Sequence, residues 1–303
     1  MTTPICLVGI GKIAIDQHVP SIAASADWTL AATVSRAGTV DGVPAFKDFD
    51  QMLADRPDIP VISLCLPPVP RFDYAAKAIA AGRHVMLEKP PGATLAEIHA
   101  LERMATDAGL SLFATWHSRA AKAVQPAKAW LADKVIRKAH ITWKEDVRKW
   151  HPGQDWVFEA GGMGVFDPGI NALSIITEIL PFEMHLQSGT LTFPSNRDTP
   201  IAADLTWSNN VTAAFDWRQE GPQTWDIVVE TDAGTLTLHD GGTRLVIDGT
   251  EQETGTVGEY PALYNHMKKL VDQGTSDVDL RPMIHVSDAF TLGQRLVTDA
   301  FEW

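Results

Sequence analysis

Through the first third of the chain, short apolar runs alternate with helix-compatible stretches. Ile5-Cys6-Leu7-Val8 is a buried-strand pattern, a helix-compatible segment runs on through Ala24, and Thr29-Leu30-Ala31-Ala32-Thr33-Val34 is a second strand. Phe49 to Leu53 predicts a short helix. Val61 to Leu66 predicts a third strand, ended by a Pro67-Pro68 turn, and Tyr74 to Ala81 an alanine-rich helix closed by Gly82. Val85-Met86-Leu87 is a further strand. It stops at Glu88-Lys89-Pro90-Pro91, because proline cannot donate to a ladder. A helix from about Thr94 to Ala108, closed by Gly109, and a strand Ser111 to Thr115 complete the series. This alternation predicts a doubly wound parallel sheet.

From Ala120 the pattern changes. Ala123 to Leu131 predicts a helix, and Ala139 to Glu145 alternates with period two, as a half-buried strand does. A polar, aromatic loop from Asp146 to Glu159 follows, then a helix entered through Val165-Phe166-Asp167-Pro168-Gly169-Ile170-Asn171 and running to Ile179. Strands are expected in meander fashion at Leu186–Thr192, Ala202–Trp207, Thr212–Trp217, Thr224–Thr231, Gly234–His239 and Thr243–Ile247, with turn pairs Asp240-Gly241 and Asp248-Gly249. Tyr260 to Asp272 and Arg281 to Phe301 are expected to close the chain as helices. The predicted class is α/β: a first domain over residues 1–119 with the parallel sheet, and an α+β domain over 120–303 with a large, mostly antiparallel open sheet. A closing helix could pack back on the first domain.

Composition narrows the picture. The 303 residues are 45% hydrophobic and 21% charged, as in globular chains. The net charge of −13 argues against nucleic acid or an anionic membrane as partner. The two cysteines, Cys6 and Cys65, lie inside apolar runs and predict core residues rather than a disulfide framework. With no signal-like start and no membrane-length apolar run, a cytoplasmic protein is expected.

The chemistry begins at Gly9-Ile10-Gly11-Lys12-Ile13-Ala14, a G-x-G-x-x-A turn between strand and helix. Its glycines allow a pyrophosphate to approach the helix N-terminus, whose free N–H groups favour anions, so Gly9, Gly11, Lys12 and Ile13 are candidate dinucleotide ligands. At the end of the second strand, an acidic residue would select NAD by accepting from the ribose 2′-hydroxyl. Ser35-Arg36 stands there instead and suits a 2′-phosphate, so NADP is the expected cofactor, with NAD still usable. A solvated Arg36 is the plain alternative. Pro67 is expected beside the nicotinamide. Lys89, at the carboxyl end of a strand, is placed where open parallel sheets hold ligands, its plain alternative being a solvated turn. Asp167 and Asn171, four apart, share one helix face.

The glycine motif, Glu88-Lys89-Pro90 and Asp167-x-x-x-Asn171 together resemble the glucose–fructose oxidoreductase / inositol dehydrogenase family over essentially the whole length. Longer runs, Trp116-His117-Ser118-Arg119, Trp143 to Arg148, Trp150-His151-Pro152-Gly153-Gln154 and Phe166 to Ser174, are similar to its bacterial aldose 1-dehydrogenases, which act on L-arabinose or D-galactose. The resemblance implies a Rossmann domain, an open-sheet domain and a cleft between them. The family's usual helix carries Asp-x-x-x-His, and Asn171 replaces that histidine, which removes a histidine base at this position.

On that resemblance, Lys89 and Asp167 are the expected catalytic pair. Asp167 is favoured as proton acceptor and Lys89 as its electrostatic partner, although sequence leaves open which of the two is the base. Asn171, His151 and Glu145 are expected to bind sugar hydroxyls, with Trp150 facing the sugar's C–H surface, His117 as a weaker candidate and Trp225 as a candidate pocket wall. Glu88 and Lys89 are assigned to the cofactor side. Glu145 as a solvated strand residue and His151 as a turn histidine are the plain alternatives. No metal is expected, since no His or Cys pair has ligand spacing within one element. Rival readings are another sugar or polyol dehydrogenase (D-xylose, inositol) and a non-catalytic sugar sensor. The exposed face of the second sheet is a candidate homodimer surface.

Overall fold

The computed structural model describes residues 2–303. The chain falls into two compact units, residues 2–117 with Gly258–Asp279, and Ser118–Val257 with Leu280–Trp303. Among the described residues, no helix is long and apolar enough to cross a membrane.

The first unit is built on a six-stranded, all-parallel sheet in the order Ala45–Phe46, Trp28–Val34, Thr3–Val8, Val61–Leu64, His84–Leu87, Leu112–Ala114. Its central strands are continuous apolar runs because helices cover both faces. Strand order reverses beside Thr3–Val8, which places Gly9 at the switch point where such sheets bind ligands. The Pro67-Pro68 pair does not close a turn as expected. Pro68 is the first residue of the helix Pro68–Ala80, a position where its missing N–H is not needed, so the helix starts earlier than the alanine run suggests. The helix Leu95–Asp107 opens on a reciprocal capping box between Thr94 and Glu97.

The helix Glu259–Gln273 also belongs to this unit. The Trp28 indole donates to Tyr264 O at 3.0 Å and the Ser111 hydroxyl to Leu270 O at 3.0 Å. The segment after the helix runs parallel to the last strand, with Ala114 N donating to Asp277 O at 2.9 Å and the Trp116 indole to Asp279 O at 2.8 Å.

The second unit carries a nine-stranded sheet. Its order is Thr250–Glu251, Arg244–Ile247, Gly234–His239, Thr224–Thr231, Ile136–Lys144, Val211–Asp216, Ala202–Trp207, Leu186–Pro194, Gln294–Thr298. It is mostly antiparallel but not a simple meander. Ile136–Lys144 is inserted between Thr224–Thr231, its antiparallel neighbour, and Val211–Asp216, which runs parallel to it. Local alternation defines strands but not which distant strand fills a gap. The expected helix to Phe301 stops at Leu292, and Gln294–Thr298 becomes a parallel edge strand on Leu186–Pro194. Gly293 is the break: a Cβ there would lie 2.5 Å from Ala289 O and 2.9 Å from Leu191. Asp248 and Gly249, both at positive φ, form the expected two-residue hairpin turn. The helices Phe166–Ile179, Val124–Leu131 and Arg281–Leu292 cover one sheet face, burying Trp143, Trp207, Phe215 and Trp217. The other face presents small and polar residues such as Thr142, Thr206, Thr212 and Ala214.

Candidate active site

In the first unit, the strand Thr3–Val8 delivers Gly9 with φ +90°, where a Cβ would meet the backbone of Cys65 and Leu66 at 3.0 Å. Glycine is required there. At Gly11 a Cβ would meet nothing within 4 Å, so the start of the following helix is open. Lys12 and Ile13 are exposed over it, and Lys12 pairs with Asp16. The geometry fits the pyrophosphate of a dinucleotide: a tight glycine turn, free helix N–H groups and a cation at the rim. Ser35 turns its hydroxyl inward to accept from Gly38 N at 3.1 Å, while Arg36 is exposed, its carbonyl accepting from Lys47 Nζ at 2.8 Å. Pro67 caps the next helix.

Glu88 is buried, and its side chain faces the unit's interior. Oε1 accepts from Tyr260 at 2.9 Å and lies 2.9 Å from His18 Nε2, while Oε2 accepts from Lys89 N at 2.8 Å. His18 is fully buried, with Nδ1 2.7 Å from the Tyr264 hydroxyl. It sits at the end of a π-helical turn, Ala14–His18, directly after the glycine motif. Arg71, also buried, donates to the carbonyls of Leu66, Glu88 and Pro90. The Lys89 turn is thus anchored from both sides. Burial would push the Glu88 carboxyl up, but the His18 hydrogen bond and charge, His117 and Tyr260 hold it well below the carboxylate range. Burial likewise opposes charge on His18, yet Cys65, Tyr264 and Glu88 keep its imidazole well above the usual value. Both shifts favour the imidazolium–carboxylate form of the pair. Burial pushes the Tyr264 phenol up to about 12 against the pull of His18. His117 stacks on Tyr260 at 5.6 Å and pairs with Glu259 at 2.7 Å.

In the second unit, Asp167 lies in the first turn of Phe166–Ile179, where the helix dipole favours a carboxylate, and Asn171 stands one turn on. Gly169 lets this helix approach the sheet, since a Cβ there would sit 3.3 Å from Phe215. The expected loop from Asp146 is partly helical. Asp146 caps a turn Val147–Trp150, which sets Trp150 and His151 at its end. His151 Nε2 lies 3.0 Å from Asp167 Oδ2.

Glu145 is buried rather than solvated, and it accepts from the Trp217 indole at 3.1 Å on one oxygen and from the Trp225 indole at 2.8 Å on the other. Trp225 stacks on Trp143 at 5.7 Å and contacts Trp150 at 5.5 Å, and the edge of His151 meets Trp217 at 5.5 Å. The structure therefore brings Asp167, Asn171, His151, Glu145, Trp150 and Trp225 onto one edge of the second unit. Gly9, Gly11, Lys12, Ile13, Ser35, Arg36, Pro67, Glu88, Lys89 and His117 all belong to the first. Sequence reasoning missed His18, Tyr260, Tyr264 and Trp217, whose partners lie far away in sequence.

The arrangement can hold a dinucleotide in one unit and offers, in the other, a carboxylate–imidazole pair beside an aromatic wall. Residues 4–115 match the model of an oxidoreductase family with an NAD-binding Rossmann fold. A galactose 1-dehydrogenase of Pseudomonas fluorescens is 42% identical over 300 residues, 97% of each chain. The chain belongs to this family. It is an NAD(P)-dependent dehydrogenase by that membership. The crystal structure of a D-galactose-1-dehydrogenase protein from Rhizobium etli is 52% identical and superposes with a TM-score of 0.95 over 99% of this chain and 98% of that one. A 3-ketoreductase from Actinomadura kijaniata, solved with NADP and TDP-benzene, shares the fold alone, at 16% identity and a TM-score of 0.82 over 98% of this chain and 100% of that one.

Proposed function

We propose that the protein oxidises D-galactose at C1 to the aldonolactone, with NADP preferred over NAD, and accepts L-arabinose as well. The observation that carries this reading is the Asp167–His151 pair beside the indoles held by Glu145. Such a site suits a pyranose, whose hydroxyls need charged or amide partners and whose C–H face packs on aromatic rings. The two full-length matches, both named for galactose, support the substrate. D-galactose and L-arabinose share configuration from C1 through C4, so one pocket can take both.

When bound, the oxidised nicotinamide accepts the hydride from C1. Asp167 takes the proton of the anomeric hydroxyl, breaking O–H as the C1–O double bond forms. Asn171 and His151 hold sugar hydroxyls, with Trp150 and Trp225 against the ring face. Lys89 is assigned the positive charge that stabilises the developing oxyanion. Arg36, exposed at the end of Trp28–Val34, is assigned to the 2′-phosphate of NADP. Nicotinamide reduction with a panel of sugars tests the reading, as set out at the end of the Discussion.

The open face of the nine-stranded sheet is proposed as a homodimer surface. It contains a hollow of about 820 Å³ lined by Arg137, His140, Thr206, Asn210, Thr212 and Glu230, none of them in the proposed sugar site. Sedimentation equilibrium at micromolar protein is expected to give twice the chain mass, and a monomer would remove the assignment.

A further inference from the structure

The loop that carries Trp150 and His151 is thinly packed. From Arg148 to Trp156 no residue is buried, and the segment is two short turns, Val147–Trp150 and Asp155–Phe158, joined by His151-Pro152-Gly153-Gln154. So exposed a segment keeps one conformation only where groups outside it tie it down. Both of its turns are tied to Phe301-Glu302-Trp303, which belongs to the same unit. At the first turn, Arg148 donates to Glu302 O at 2.8 Å and lays its guanidinium over the Phe301 ring at 4.5 Å. At the second, the Trp303 indole donates to Asp155 Oδ1 at 2.8 Å, and the Phe158 ring meets Phe301 at 5.1 Å and Trp303 at 6.0 Å. Phe158 in turn meets Trp217 at 5.5 Å, and Trp217 meets the His151 ring at 5.5 Å. A chain of rings thus joins Phe301 to His151.

Phe301-Glu302-Trp303 has no secondary structure, and side chains that follow the strand Leu186–Pro194 hold it in place. The Asn196 amide accepts from Phe301 N at 2.9 Å and donates to Phe301 O at 3.1 Å, pairing with both backbone groups as a neighbouring strand would. Arg197 donates to Asp155 at 2.7 Å and to Phe301 O at 3.4 Å, so one guanidinium joins this segment to the loop directly. None of these side chains is among the groups assigned to the sugar or the proton. From this geometry we propose that Phe301 and Trp303 are positioning residues that hold Trp150 and His151 in the sugar-binding arrangement, and so set the affinity for the sugar. The inference rests on the function proposed above and deepens it. Where only a fraction of the molecules has the loop in place, the apparent dissociation constant rises as the inverse of that fraction, because binding must also order the loop. Bound sugar completes the ordering, so turnover at saturation changes little. The signature is a raised KM with kcat kept. A clasp that served stability alone would lower the unfolding temperature and leave KM where it was.

The test combines hydrogen exchange, read by mass spectrometry on the full-length protein without substrate, with steady-state kinetics on D-galactose. The variants are Trp303→Ala, Asn196→Ala and the two together; both residues are exposed, so neither change opens a cavity in the core. In the double variant, the amides of Trp150, His151 and Gln154, each hydrogen-bonded within the loop, should exchange near the unprotected rate. The strand Ile136–Lys144 should stay protected. The sugar KM should rise about 10-fold, as expected when about a tenth of the molecules keep the loop in place, with kcat within about threefold of native. Trp303→Phe, which keeps a ring against Phe158 and Phe301 and loses the bond to Asp155, should fall between the native protein and Trp303→Ala. Unchanged exchange of the loop in the double variant would overturn the inference. So would a loosened loop with an unaltered KM, or a loss carried by kcat rather than KM. A native protein inactive on every sugar would overturn the proposed reaction instead, and exchange of the loop would then decide whether this segment holds it.

Discussion

Asp167→Ala is expected to lower turnover about 10²- to 10⁴-fold, the range a positioned general base contributes. Two features place the carboxylate for this work. The first turn of Phe166–Ile179 stabilises its negative charge, and His151 Nε2 stands 3.0 Å away, ready to share a proton. Truncation removes both the acceptor and the partner of His151. The proposed dinucleotide ligands all lie in the other unit, so cofactor affinity, measured by quenching of protein fluorescence, should stay within about twofold, well under 1 kcal/mol. Asp167→Asn keeps the shape but not the basicity and should lose nearly as much. Retained turnover in either variant would assign the proton to another group, with Lys89 the first to examine. Loss of cofactor binding together with turnover would point to a folding defect instead.

The second large effect is on stability. His18→Leu should destabilise the protein by about 3–5 kcal/mol, because it leaves the buried Glu88 carboxylate without its cationic partner. The remaining contacts, from Tyr260 and Lys89 N, are neutral donors. Adding Glu88→Gln to His18→Leu should recover more than half of the loss, since the amide removes the uncompensated charge, its oxygen can still accept from Lys89 N, and its NH2 can donate to the Tyr260 hydroxyl oxygen.

The pH dependence follows from the two shifts. The raised His18 value contributes fully below the unfolded imidazole pKa, roughly 6.5, and its contribution is lost as pH rises through the folded value. The lowered Glu88 value contributes fully above the unfolded carboxyl pKa, roughly 4.3, and its contribution is lost as pH falls through the folded one. The advantage of the native chain over the double variant should therefore be greatest between about pH 4.5 and 6.5 and shrink on either side. Urea unfolding across pH 4 to 9 measures it. A His18→Leu protein as stable as the native chain, or a difference that does not vary with pH, would show that the pair is not ionised.

These two residues also mark the limit of what the sequence could convey. The first unit was legible because its longer strands are short, mainly apolar runs that alternate with helix-compatible stretches, and because G-x-G-x-x-A fixes where the sheet begins; the two-residue strand Ala45–Phe46 gave no such run. Even so, Pro67-Pro68 misled: a proline pair is both a turn signal and the best opening of a helix, and only the tertiary context chose the helix. His18 gave no signal, since one histidine after a glycine motif looks the same whether it is buried on a glutamate or exposed. Tyr260 and Tyr264 reach Glu88 and His18 from a helix that follows eight of the nine strands of the second sheet.

In the second unit, Asp167 and Asn171 were legible from their spacing of four on a helix. Glu145 was ambiguous because period-two alternation places it on a face but not at the sheet's end, where Trp217 and Trp225 close over it. The meander expectation failed at Ile136–Lys144, whose parallel pairing with Val211–Asp216 is a long-range choice that no local pattern encodes. The helix expected through Phe301 failed at Gly293, where the backbone passes too close to Leu191 for any side chain.

The most direct test is the rate of nicotinamide reduction with D-galactose, L-arabinose, D-glucose, D-xylose and myo-inositol, each with NAD and with NADP. The account predicts turnover on D-galactose and L-arabinose, faster with NADP, and a loss of that preference in Arg36→Ser. No turnover on any of the five, with cofactor still bound, would contradict it and favour a sugar-sensing role for the same fold.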